Sequence, residues 1–169
     1  MSGVQDPIDG ALAAAQKAID IAAADNGADV GCCLPRRVDA GCVMLSASSE
    51  VDAAEANVVA AAAAAVAAVR AVPALQLVVF DLTGVSFFGS CGIAMLVQAQ
   101  ADILLGGAAI RVVGDSNRVV RRPLEATGLL DHFTWLTADW LSGTDAFDLT
   151  LRSRRLPIHG DAIDRFGSK

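Results

Sequence analysis

Lysine is nearly absent from this 169-residue chain, occurring only at Lys17 and Lys169, so arginine supplies the rest of its 13 basic charges against 19 acidic ones. A net charge of −6 argues against nucleic acid as a direct partner, because that contact needs a dense cationic surface. Scarce lysine with abundant alanine is the composition of a GC-rich bacterial genome. Histidine is confined to His132 and His159, and Cys32, Cys33, Cys42 and Cys91 form no C-x-x-C pair. No zinc or other metal site is expected from such a set. There is no long apolar run either. Val58 to Val69 is mostly alanine, is closed by Arg70, and falls short of the roughly 20 apolar residues that span a bilayer, so no membrane is expected. The opening residues, with Gln5 and Asp6, lack the basic and apolar blocks of a secretory signal. A cytoplasmic protein with reduced thiols is therefore expected. No P-loop is present and no G-x-G-x-x-G follows a strand, so no cofactor is expected.

What remains is a chain 54% apolar, long enough to bury about two thirds of its unfolded surface in one domain. Its pattern alternates between helix and strand. Asp6-Pro7 reads as a cap and first turn for a helix over 7–24, with Ile8, Leu12, Ala15, Ile19 and Ala22 on one face and Asn26-Gly27 as the stop. That apolar face is available either to its own domain or to a homodimer. Gly31 to Arg37 reads as a loop or short strand, and Gly41 to Ser46 as a buried strand. Asp52 and Glu55 have capping-box spacing ahead of an alanine-rich helix that Pro73 ends. "LQLVVFDL" is an apolar strand running into a loop that ends Gly89-Ser90-Cys91-Gly92. A helix follows to Leu105, with Ile93, Leu96, Val97, Ile103 and Leu104 predicted to face inward. "AAIRVV" is the next strand, Ser116 to Thr127 a helix stopped by Gly128, and "HFTWL" a last core strand that includes His132. Phe147, Leu149 and Leu151 alternate with polar residues as an edge strand would. Short connections between alternating elements predict an α/β domain with a mixed, mostly parallel sheet. The expected organisation is a helical extension over 1–35, the domain over 36–141 and a tail over 142–169.

The Gly89-Ser90-Cys91-Gly92 loop follows a central strand, where open α/β sheets place their functional loops. Four readings fit a hydroxyl beside a thiol at the mouth of a helix: nucleophile, phosphate cradle, phosphorylation site, or helix cap. On chemistry alone the cap stands first, with Gly89 and Gly92 permitting a tight turn and Cys91 a small buried apolar residue. Catalysis is not expected. Phe88 breaks the G-x-S-x-G elbow, and both histidines lie late in the chain. A phosphoserine here would meet unpaired N–H groups and the positive end of the helix dipole. Arg118, Arg121 and Arg122 share a helical face and read as solvated, partly paired with Glu125. Adjacent Cys32 and Cys33 are not expected to bridge.

"LVVFDLTGVSFFGSCGIAMLVQAQ" resembles the signature of STAS domains, and in particular of bacterial anti-sigma factor antagonists. Asp81-Leu82-Thr83-Gly84-Val85 and Phe87-Phe88-Gly89-Ser90-Cys91-Gly92-Ile93 match its two pieces in order. "SSEVDAAEA" is similar to the turn before the family's first main helix, and "SNRVVRRPLEATGLLDHF" to its late helix and following strand. The resemblance covers about residues 36 to 137. It implies a single STAS-like domain that acts as a protein-interaction switch in transcription regulation. The implied partner is an anti-sigma factor of the serine-kinase type, released when Ser90 is phosphorylated. Asp52, Asp81, Thr83, Gly89, Ser90, Cys91 and Gly92 are implied to line the partner surface, with Thr83 and Ser86 as secondary acceptors. Gly89 replaces the family's acidic residue before the acceptor, and Cys91 its second serine. A STAS scaffold or ligand-binding module that is never phosphorylated is the alternative, and a serine- or cysteine-dependent enzyme a more distant one.

Overall fold

The computed structural model describes residues 6–68 and 75–142. Helix α1, Pro7–Asn26, starts where the Asp6 carboxylate accepts the Ile8 N–H at 2.9 Å, and it ends at Gly27 in the left-handed conformation, φ 67°. Its face of Ile8, Ala11, Ala15, Ile19 and Ala23 is buried, so the apolar side of α1 is used by its own domain. A 3-10 turn, Val30–Cys32, leads into β1, Cys33–Asp39, the strand of the 31–37 alternatives. Strand β2, Cys42–Val51, runs well past the predicted Ser46, and α2 follows over Ala53–Ala68. The expected end of α2 at Pro73 lies outside the described residues, as do Val69 and the alternation over 147–151.

The largest departure from the sequence expectation is β3, Leu77–Phe88. The stretch from Asp81 to Phe88 is strand, not loop, because it keeps pairing with β2 as far as Val51 opposite Phe88. Helix α3, Ser90–Leu105, packs Gly92, Met95, Leu96, Ala99 and Ile103 inward. Val97 and Leu104 were expected inside, yet they are 38% and 56% exposed. The register of α3 is set instead by Gly92, which lies against Phe88. Strand β4, Ala109–Val113, and helix α4, Arg118–Ala126, follow as expected. The last strand is shorter than predicted. A 3-10 turn takes Leu130–His132, leaving β5 only Trp135–Leu136, and exposed His132 stands edge-on to Phe133 rather than in a core strand. A single turn, α5, Asp139–Ser142, follows.

The strands form one sheet in the order β1-β2-β3-β4-β5, with β1 antiparallel to β2 and the remaining neighbours parallel. Parallel neighbours require crossovers, which α2, α3 and α4 supply. These helices and α1 bury their apolar sides against Val43, Leu45, Val78, Phe80, Leu82, Ile110 and Val112, the main core. This is a single α/β domain with a mixed five-stranded sheet and an N-terminal helix.

Candidate functional site

Two helices open at the same end of the sheet because β2 and β3 are parallel and finish together. Val51 lies opposite Phe88, so the next residues, Asp52 and Gly89, begin α2 and α3 side by side. The turn Gly114–Asn117 after β4 joins them. This is the carboxyl end of the parallel strands, where α/β sheets gather functional loops.

Ser90 is the first residue of α3, and the cap position belongs to Gly89, which makes no side-chain cap bond. The cap reading of Ser90 is thereby corrected. Its hydroxyl is exposed and has no hydrogen-bond partner among the described residues. The first helical bond is from the Ile93 N–H to the Gly89 carbonyl at 3.2 Å, so the N–H groups of Ser90, Cys91 and Gly92 have no helical partner. Cys91 is exposed, contrary to the expectation of a buried apolar residue, because the first turn points its second position away from the sheet. Gly92 is buried for a steric reason: a Cβ there would lie 2.6 Å from the Phe88 ring. Gly89 has φ −98°, which any residue adopts, but a Cβ on it would lie 3.3 Å from the Phe87 ring. That ring, 51% exposed, leans over Gly89.

Asp81 and Thr83 shape the approach to this turn. Between two paired positions β2 advances from Ser46 to Ser48, while β3 advances from Asp81 to Gly84, so β3 bulges at 82–83. Asp81 Oδ1 accepts from the Thr83 N–H at 3.0 Å and from its hydroxyl at 2.6 Å, and the Ser46 hydroxyl reaches Oδ2 at 3.4 Å. The Thr83 hydroxyl is thus engaged within the bulge. Asn117, which the sequence did not single out, clamps the same bulge from α4. Its amide donates to the carbonyls of Leu82 at 3.0 Å and Val85 at 2.8 Å, while its Oδ1 caps α4 by accepting the Val119 N–H at 3.1 Å.

Asp52 caps α2 by accepting the Ala54 N–H at 2.8 Å. The reciprocal capping box is present, since Asp52 also bonds the Glu55 N–H and Glu55 the Asp52 N–H. The proximity of the two carboxyls splits their acidities. It holds Asp52 below the usual carboxylate range and pushes Glu55 up, with burial adding to the latter. Glu55 Oε2 is buried without a partner. Nearby Cys32 is raised first by burial and then by Glu55 and Asp29, and burial pushes Cys33 up to about 12. Both thiols are free and unbridged.

The structure therefore brings Asp52, Gly89, Ser90, Cys91 and Gly92 to one edge, with Asp81 and Thr83 supporting it from below. Among the described residues the histidine, His132, does not lie beside Ser90. The Gln100 side chain touches the His132 carbonyl, and Gln100 is about 15 Å along α3 from Ser90 at 1.5 Å per residue. His159 lies outside the described residues. A cleft of about 270 Å³ lined by Ala64, Ala67, Asp102 and Leu105 is at the opposite ends of α2 and α3. Among the described residues no cluster of histidine, cysteine and carboxylates could hold a metal, and no helix is long and apolar enough to cross a membrane. Arg118, Arg121 and Arg122 are exposed, with Arg121 paired to Glu125 at 2.6 Å.

Residues 34–142 match the STAS domain family. Among solved structures, the chain is similar to an anti-sigma factor antagonist from Mycobacterium paratuberculosis. The two share 28% identity with a TM-score of 0.55, over 69% of this chain and 91% of that one. The unphosphorylated form of the anti-sigma factor antagonist SpoIIAA is similar in fold, at 15% identity and a TM-score of 0.52, over 74% of this chain and 98% of that one. No functionally curated protein matches the sequence.

Proposed function

From the premise that this chain belongs to the STAS domain family, we propose that it is an anti-sigma factor antagonist whose docking edge is the paired start of α2 and α3. Unmodified, it captures an anti-sigma factor of the serine-kinase type. Phosphorylation of Ser90 by that partner releases it. The observation that carries this reading is the exposed, unpartnered Ser90 hydroxyl at the first turn of a long helix. A phosphate there carries about −1.5 to −2 charges. Three free N–H groups and the helix dipole stabilise an anion at this position by about 0.3–1 kcal/mol, so the folded domain accommodates it. A protein seated over the edge would have to strip water from a dianion, which costs several kcal/mol without a cationic partner. The transfer chemistry belongs to the partner, and no catalytic step is assigned to this chain.

Gly89 favours a second reading. Phe87 covers the site where the family's acidic residue would stand, an arrangement suited to a scaffold that binds without being phosphorylated. Mixing the chain with each anti-sigma kinase of its source and ATP, then mapping phosphate by mass spectrometry, separates the two. The expected result is phosphate on Ser90, a complex retained in Ser90→Ala and lost in Ser90→Glu. A stable complex with no phosphate on any residue would establish the scaffold instead.

A further inference from the structure

The edge at which α2 and α3 begin is one element wider than the two helix starts. Strand β1 is antiparallel to β2 and sets Cys33 opposite Ala47, so it begins toward the end at which β2 finishes. The corner between α1 and β1, residues 27–32, is thereby delivered to the same end of the sheet as Asp52 and Ser90. Two side-chain bonds hold it there. Asn57 of α2 donates to Asn26 Oδ1 at 2.9 Å, and the Ser48 hydroxyl of β2 donates to the Gly31 carbonyl at 3.3 Å. The corner is also braced from within. The Asp29 carboxylate accepts the Gly31 N–H at 2.9 Å, and the Asp29 carbonyl accepts the Cys32 N–H at 3.1 Å. On this fixed turn Cys32 is buried and Val30 is 53% exposed.

The order along the edge is corner, end of β2, end of β3, with neighbours about 5 Å apart. Val30 and Phe87, each about half exposed, flank the Asp52 cap. A single half-exposed valine needs no explanation, but its place in this row gives it one. An interface of ordinary size covers about 800 Å² of each partner, a disc of roughly 16 Å radius. Centred on Ser90, such a disc takes in the corner, which is two strand spacings or roughly 10 Å away. Charge points the same way. Neither lysine nor arginine occurs over 18–35, 38–68 or 75–110, whereas Asp25, Asp29, Glu50 and Asp52 are exposed around the corner. Arg36 and Arg37 lie farther along β1, opposite Met44 and Val43, and Arg118 follows the β4 turn, three strand spacings away.

We propose that this corner belongs to the docking edge: the anti-sigma factor seats an apolar side chain on Val30 and sets lysine or arginine against Asp29 and Asp52. The inference rests on the function proposed above. It adds a recognition element that lies before residue 34, outside the matched STAS segment. Two STAS domains with the same serine turn would then differ in partner through the corner each carries.

Val30→Arg tests both contacts at once. Leu105→Arg makes the same charge change at an apolar residue, 82% exposed, at the opposite end of α3. In calorimetry against the captured anti-sigma factor, Val30→Arg is expected to weaken binding at least tenfold and Leu105→Arg less than twofold. Both are expected to melt within about 2 °C of the parent. Equal affinity of the two variants overturns the proposal. Should Val30→Arg melt lower, the unmodified complex decides: slower hydrogen exchange over 28–32 on capture supports the proposal, and unchanged exchange overturns it. Association is expected to slow as salt rises, and a rate independent of salt also overturns it. If Ser90→Glu loses capture while Val30→Arg keeps it, the corner alone is removed. A parent chain that captures no anti-sigma factor removes the proposed function and the corner with it.

Discussion

Replacing Asn117 by aspartate separates two roles that one side chain performs. As a helix cap, aspartate is as good as asparagine, so a cap alone predicts no loss. The clamp predicts otherwise. The Asn117 amide donates to the Leu82 and Val85 carbonyls at 3.0 and 2.8 Å, and a carboxylate has no hydrogen to give them. Two lost bonds at about 1 kcal/mol each give about 2 kcal/mol, before counting repulsion between carboxylate and carbonyl oxygens. For a domain of this length that lowers the melting temperature by about 4–8 °C. The pH dependence carries a sign. Facing carbonyl oxygens, the new carboxyl holds its proton more tightly folded than unfolded. Its stabilising contribution is therefore complete below the unfolded value and lost as pH rises through the folded one. The deficit of Asn117→Asp against the parent should shrink as pH falls through the raised folded value and be smallest below about 4. Urea melts at pH 7 and pH 3.5 measure both effects. A deficit within 0.5 kcal/mol at pH 7, by the usual scatter of surface substitutions, would refute the clamp.

Gly92→Ala should destabilise the fold by about 1–2 kcal/mol, overpacking against Phe88 outweighing the helix propensity gained, and Phe88→Leu in the same chain should recover part of the loss. An unchanged urea midpoint for Gly92→Ala would mean that the Phe88 ring moves freely. In carboxyl-resolved NMR titrations Glu55 should titrate above its ordinary 4.5, and it should drop back toward that value in Asp52→Asn. No drop would mean that Asp52 is not what raises Glu55. Phe87→Ser should weaken capture of the anti-sigma partner at least tenfold while leaving the melting temperature within about 2 °C, as expected of an exposed aromatic anchor. Equal affinity of parent and variant in calorimetry would remove Phe87 from the docking edge.

The helices were legible because their ends are written in short-range chemistry. Asp6 with Pro7, Asp52 with Glu55, and Gly27 each act within a few residues. The extent of β3 was not legible. Its continuation through Thr83, Gly84 and Ser86 depends on pairing with β2 and on the Asn117 amide, partners more than 30 residues away along the chain. The helical period of α3 misplaced Val97 and Leu104 because the buried face runs through Gly92, Met95, Leu96, Ala99 and Ile103, with the small residues Gly92 and Ala99 part of it. The motif placed Ser90 at the start of α3, but not its role in the turn. A hydroxyl next to a helix start reads as a cap until geometry shows Gly89 in that position. Phe87 entered only as part of the family motif, in a stretch read as loop, so its exposed ring beside Gly89 was not foreseen.

Strand β1 limits how this molecule can meet its own kind. Pro35 has no N–H to offer, and Arg36 and Arg37 stand beside it, so that border of the sheet is a poor template for another strand. At the far border β5 is only Trp135–Leu136. Under the proposed function, a binder that captures its target molecule for molecule has to accumulate to the concentration of that target. Blunted borders let it do so without growing into ribbons of joined sheets.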